Sequence, residues 1–179
     1  MNSINLKNEF SGRLNQETNK DATSESSGSI TATHYNSGFE LSHDTYNGIY
    51  AASDGLIYYV LCSESIEEGG KMYAFDPATK EITLCGDLTE VCGEKELKTI
   101  PQGKSHVNFI ESNGKLYFAT HIGYYTNVDG MEKMGIPPEG YRPYPGGHLL
   151  SFDLETRKFE DYGIVPHKEG VLTMNMDIR

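Results

Sequence analysis

The chain has no tryptophan, three cysteines, and a shortage of positive charge: 15 Lys and Arg stand against 26 Asp and Glu in 179 residues, a net charge of −11. Each shortage excludes something. A surface this poor in cations does not suit a nucleic-acid backbone, which needs Lys and Arg gathered on one face. Cys62, Cys85 and Cys92 are odd in number and contain no Cys-x-x-Cys spacing, so neither a disulfide framework nor a zinc ribbon can be read from them. Cys85 and Cys92 are near enough in sequence to pair in an oxidising compartment, but free, partly buried thiols are the expectation. No apolar run is long enough to cross a bilayer, and Met1–Lys7 lacks the apolar core of a signal peptide. Read as written, the chain is expected to be soluble and cytoplasmic, with no membrane partner; a start lying upstream would allow a periplasmic or secreted product. No Gly-Lys-Ser/Thr ending follows either Gly-Gly pair, so a phosphate loop is excluded, and no nucleophile elbow is present.

What the chain does have is an internal repeat. Gly69-Gly70-Lys71-Met72-Tyr73-Ala74-Phe75-Asp76-Pro77-Ala78-Thr79-Lys80 returns 77 residues later as Gly146-Gly147-His148-Leu149-Leu150-Ser151-Phe152-Asp153-Leu154-Glu155-Thr156-Arg157. Each copy reads as a strand, a tight turn opened by Asp, and a second strand. A second device, an Asp54-Gly55 or Asn113-Gly114 turn between two alternating apolar runs, recurs at a spacing of 59 and is a strong hairpin signal. Together these predict two units of four antiparallel strands, over residues 47–85 and 106–162. The two spacings differ by 18, which places an insertion in the second unit at residues 122–145, a segment rich in Gly, Pro, Tyr and Met with little strand periodicity. Residues 170–177 read as the first strand of a third unit. Residues 1–35 are polar and read as a flexible segment that admits a short strand near residues 30–35, leaving 36–179 as the folded part. Twelve Tyr and seven Phe agree with the all-β reading.

The Gly-Gly, Tyr73-Ala74-Phe75 and Asp76-Pro77-Ala78-Thr79 pattern resembles the blade hairpin of kelch-type and quinoprotein-type β-propellers, and more loosely the blades of oligogalacturonate-lyase and virginiamycin-lyase propellers. The resemblance covers residues 47–177 and implies a partial β-propeller of WD40-like, four-stranded blades. Both kelch and quinoprotein blades carry a Trp where this chain has Ile82 and Phe159, so a quinone cofactor is not implied. Two blades leave apolar faces and strand edges open, so the remaining blades are expected from a longer chain or from self-association.

In such a unit the strand connections sort to two ends, and this rule sends His43, His106, His121, His148 and His167 to one rim together with the insertion. His106 is the candidate general base, because imidazole moves protons near neutral pH; the plainer role is a rim histidine bonded to a backbone carbonyl. His121 and His148 flank the insertion and either bind ligand or anchor that loop. A divalent metal, if the protein takes one, falls to His106, His121 and His148. Tyr124, Tyr125, Tyr141 and Tyr144 offer aromatic faces and phenols for a sugar, or pack as a lid. Three functions follow as expectations: a module binding carbohydrate or protein at this rim, a carbohydrate-active lyase or hydrolase using the rim histidines, or a truncated piece of a longer propeller with no function of its own.

Overall fold

A computed structural model describes the backbone of residues 3–4 and residues 31–177. Strands β1 (Ser3–Ile4) and β2 (Ala32–Thr33) pair antiparallel within a first unit, Met1–Asn36. The rest of the expected flexible segment lies outside the described residues. The second unit, from Ser37 onward, contains two four-stranded antiparallel sheets. The first is a meander of β3 (Ile49–Ala51), β4 (Ile57–Leu61), β5 (Lys71–Phe75) and β6 (Ile82–Asp87). A single turn of helix, α1 (Leu88–Val91), and a 3-10 turn at Lys95–Leu97 follow it. The second sheet holds β7 (Ile110–Ser112), β8 (Lys115–Ala119), β11 (His148–Asp153) and β12 (Phe159–Ile164) in the same meander order. Between β8 and β11 the insertion forms its own hairpin, β9 (Tyr125–Val128) and β10 (Met131–Met134). The turn there is Asp129-Gly130, with both residues at positive φ, 54° and 78°. That dipeptide is a hairpin signal in its own right, and it outweighs the weak alternation of the flanking residues.

The repeat is carried down to single hydrogen bonds. Asp76 closes its turn by accepting from the backbone N–H groups of Ala78 and Thr79, and Asp153 does the same for Glu155 and Thr156. Lys80 and Arg157 end these turns in the left-handed region, at φ 67° and 59°. Their N–H groups return to Asp76 and Asp153 O at 2.8 and 2.9 Å. The bonds to the side-chain oxygens favour the ionised carboxyl, and both Asp76 and Asp153 sit below the usual carboxylate range, chiefly through the backbone N–H donors of Ala78 and Thr156.

The two sheets bury opposite faces against each other. On the first sheet the covered side chains are Tyr58, Val60, Met72 and Ala74, while on the second they are Leu116, Phe118, Leu150 and Phe152. By the repeat spacing, Leu116 and Phe118 correspond to Ile57 and Tyr59, and Leu150 and Phe152 to Tyr73 and Phe75. Because side chains alternate along a strand, those equivalents lie on the other face of the first sheet. The arrangement is therefore one sheet's front on the next sheet's back. Tyr58 meets Phe152 with ring centroids 5.6 Å apart, and Phe159 fills the gap beside Phe152 at 4.8 Å. Each large side chain so buried contributes about 1.5–3 kcal/mol. At the far end of the strands, Glu111 accepts from the Ser53 backbone and Arg157 pairs with Asp54 at 3.2 Å. The outer faces carry their own tyrosine stacks, Tyr59 on Tyr73 and Tyr117 on Tyr162. All three cysteines are free thiols, held up by burial, Cys62 and Cys85 to about 12.

Residues 170–177, expected as a further first strand, form no strand. The chain there still runs where such a connection would: Gly147 N–H donates to Glu169 O and Val171 N–H to Thr120 O. With no adjacent strand to pair with among the described residues, backbone groups that a ladder would satisfy leave this stretch irregular.

The double glycines have a steric cause. Gly70 N–H donates to Gln102 O, and Gly147 N–H to Glu169 O, both at 2.9 Å, so the connection leaving each sheet crosses directly over its Gly-Gly pair. A Cβ on Gly70 would sit 2.7 Å from Gly103 O, and one on Gly146 would sit 2.7 Å from the Lys168 Cα. Gly103 is equally confined, since its Cβ would lie 2.5 Å from the Gly123 Cα and 2.6 Å from Ser63 O. Gly103→Ala should therefore overpack a backbone crossing that has no side chain to yield, at a cost of about 1–3 kcal/mol. Chemical denaturation checks this, with Gly55→Ala, at a turn where nothing lies within 4 Å, as the comparison that tests strain from positive φ alone.

Candidate functional site

Antiparallel strands joined in order place alternate connections at opposite ends, and one end collects every long connection. The starts of β3, β5, β7 and β11 and the ends of β4, β6 and β8 all lie there, so residues 43–47, 62–70, 88–109 and 120–147 share that end. Thr99–Ser105 threads between these loops. Ile100 N–H donates to Arg142 O, Ser63 N–H to Gly103 O, and Lys104 and His121 exchange both backbone bonds, at 2.9 and 2.7 Å. Pro101 to Ser105 are all buried as a result.

This threading buries a lysine. Lys104 is 1% exposed, yet its Nζ donates to Glu64 Oε1 at 2.7 Å and to the Tyr46 hydroxyl at 3.2 Å. It also lies 4.8 Å from the centroid of the Tyr125 ring and 5.1 Å from that of Tyr46. Burial disfavours the charge, but the bonds to Glu64 and Tyr46 outweigh it, so Lys104 is held above its ordinary value and stays an ammonium. His106 stacks against Tyr46 at 4.1 Å and meets the edge of His121 at 4.6 Å. Burial, then His121 and Lys104, lowers the His106 pKa, so this imidazole is neutral near pH 7. His121 donates through Nδ1–H to the carbonyl of Ile122 at 2.9 Å, which anchors the start of the insertion. At the rim of the same cluster, the exposed His43 pairs with Asp44 at 2.7 Å and lies 3.8 Å from Glu64.

No family model matches this chain, and a search of curated proteins finds no match.

The remaining expected residues belong to a second network. His148, at the start of β11, is clasped between two carboxylates: Nδ1 meets Asp161 at 2.9 Å, and Nε2 meets Glu94 Oε1 at 3.0 Å. Burial opposes the imidazolium, and the two acids more than offset that, raising the His148 pKa. Gln102 holds Glu94 through Nε2 at 2.9 Å, and its Oε1 accepts from Thr120 and from the Tyr144 hydroxyl, each at 2.7 Å. Tyr144 is thus bonded to a core glutamine, and burial pushes its phenol up. Tyr141 lines a cleft of about 450 Å³ that reaches Glu94, Thr89 and Lys98. Tyr124 is half-buried just before the hairpin, and His167 is exposed in the 3-10 turn Pro166–Lys168, at φ 63°.

His106, His121 and Tyr125 therefore come together, while His148, Tyr141 and Tyr144 do not join them. The three histidines named as one metal set do not converge: among the described residues, the groups whose ligand atoms could share an ion are Cys92, His148 and Asp161, and His43, Asp44 and Glu64. The residues that sequence reasoning passed over are Tyr46, Glu64, Glu94, Gln102, Lys104 and Asp161. For Lys104 the available signal was its neighbourhood, Gln102-Gly103-Lys104-Ser105-His106 entering the second unit. A lysine in a polar connection is ordinarily solvated, so nothing local marked it as buried. Chemically, the first cluster offers a fixed cation, the neutral His106 imidazole with the His121 ring beside it, a carboxylate and two aromatic faces.

Since His106 binds a proton less readily folded than unfolded, the sign of its linkage is set: its contribution is full above the ordinary imidazole range, about pH 6.5, and is lost as pH falls through that range towards the lowered folded value. The stability of the wild type should drop relative to His106→Asn on acidification through this window. Urea melts of the two proteins at a series of pH values measure that difference, and an NMR titration of the His106 ring should give a midpoint below the ordinary one.

Proposed function

We propose that the chain is a β-propeller-type module of two consecutive blades that binds a carbohydrate at the end carrying Lys104, His106, His121 and Tyr125. Two sheets with one hydrogen-bonding pattern, stacked front to back, support the propeller part of the reading, since that stacking can continue with further sheets of the same repeat. Those sheets come from a longer chain or from another copy, and they would cover the Tyr59–Tyr73 and Tyr117–Tyr162 faces.

The single observation that carries the ligand assignment is the packing of Lys104 Nζ against Tyr46, Tyr125 and Glu64 beside the His106–His121 pair. A sugar presents apolar ring faces and a fringe of hydroxyls, each both donor and acceptor. Aromatic faces flanked by an ammonium, a carboxylate and imidazoles match both requirements. The Lys104 and Glu64 charges offset each other, which suits a neutral or weakly charged glycan better than a polyanion.

A second reading has one observation in its favour, the lowered pKa of His106, which leaves a free base beside a fixed cation. In this reading the site is that of a lyase or hydrolase on the same class of ligand. Calorimetry of the full chain against a panel of neutral and acidic oligosaccharides separates the readings. A binding module should show affinity without turnover, with Tyr125→Ala weakening it about tenfold, the equivalent of a stacking contact of about 1.4 kcal/mol. An enzyme should release product and lose that activity in His106→Ala. Absence of binding across the panel, together with binding of a protein ligand that is indifferent to Tyr125→Ala, would remove the carbohydrate assignment.

A further inference from the structure

We propose that Cys92, His148 and Asp161 form a zinc site, with Glu94 as the carboxylate that orients the histidine. The three ligand atoms lie within 4.8 Å of one another. A tetrahedral zinc with bonds of about 2.0–2.3 Å needs its ligands about 3.5 Å apart, so closing the set asks for a shift of about 1 Å. The three residues come from separate elements: Cys92 is the C-cap of α1, His148 opens β11, and Asp161 lies in β12.

Two further features of the network point the same way. Glu94 meets His148 Nε2 at 3.0 Å and is itself fixed by Gln102, which is the carboxylate–histidine pairing that sets the tautomer of a metal-bound imidazole. With Nε2–H donating to Glu94, Nδ1 is left to face Asp161 and the metal. The charge balance also favours a cation. Glu94 is 4% exposed, and among the described residues neither Glu94 nor Asp161 forms an ion pair with Lys or Arg. The two carboxylates therefore share one histidine as their cationic partner, with Glu94 buried and Asp161 at the exposed edge. Zinc enters as the Cys92 thiol and His148 Nδ1 each give up a proton to solvent, and the thiolate, imidazole and carboxylate leave a fourth position for water. The mixed sulfur, nitrogen and oxygen set fits zinc rather than calcium or magnesium, which take oxygen ligands. Its place also ties the turn after the first sheet to two strands of the second. This proposal does not depend on the carbohydrate reading, because the ligands are not those of the Lys104 cluster.

The test uses the full chain, stripped with a chelator and returned to zinc or cobalt. Elemental mass spectrometry should find one zinc per chain after gel filtration, and cobalt should give the thiolate-to-metal charge-transfer absorption. Cys92→Ser should lose that absorption while Cys85→Ser keeps it, and Glu94→Gln should weaken zinc binding about 10–100-fold. Asp161→Asn, at an exposed strand position, should weaken it as well while keeping the circular dichroism spectrum of the wild type. A wild type without stoichiometric zinc, a charge-transfer band that survives Cys92→Ser, or an affinity indifferent to Asp161→Asn would overturn the proposal.

Discussion

The crossing of Gln102–Lys104 over Gly69-Gly70 and alongside Gly123 is the contact on which the rest of this unit depends. At these glycines, where a Cβ on Gly70 or Gly103 would stand under 3 Å from backbone, the chain approaches itself without side chains between. That approach lets Ser63, Gly70 and His121 each close a backbone bond to the threaded segment. Once the segment is held in this way, its polar side chains have no route to water, and each must find partners inside the protein.

The two polar networks are the consequence. Lys104 and Gln102 are neighbours on the same threaded stretch, and they serve opposite sides of it. Lys104 turns to Glu64, Tyr46 and Tyr125, and keeps its charge because the bonds outweigh desolvation. Gln102 turns to Glu94, Thr120 and Tyr144, and joins the end of β8 to the 3-10 turn after the first sheet. A buried ion pair is weak evidence of stability in itself, since apolar replacements are often as good.

Much of the local structure was legible because it rests on short-range chemistry. Asp54-Gly55 and Asn113-Gly114 turns, the Asp-capped loops ending at Lys80 and Arg157, and the site of the insertion all follow from which residues tolerate positive φ and which side chains accept from their own backbone. The β9–β10 hairpin was equally local, announced by Asp129-Gly130, and was obscured by the weak alternation around it. The gathering of His106 and His121 with the insertion followed from strand order. The separation of His148 did not, because its side chain direction depends on Glu94 and Asp161, which are 54 and 13 residues away in sequence.

Sequence alone determined the repeat, the strands within it and the end of the sheets to which each connection belongs, since periodicity and turn chemistry act over a few residues. Only the tertiary structure decided which face of each sheet is buried. Tyr59 and Phe118 occupy the same repeat position, yet Tyr59 lies on an outer face and Phe118 in the core, because the sheets stack front to back. It was also the tertiary structure that took Lys104 out of water and split the histidines between two networks. Burial is a property of what lies across the gap, and no local pattern in a strand or loop records its partner.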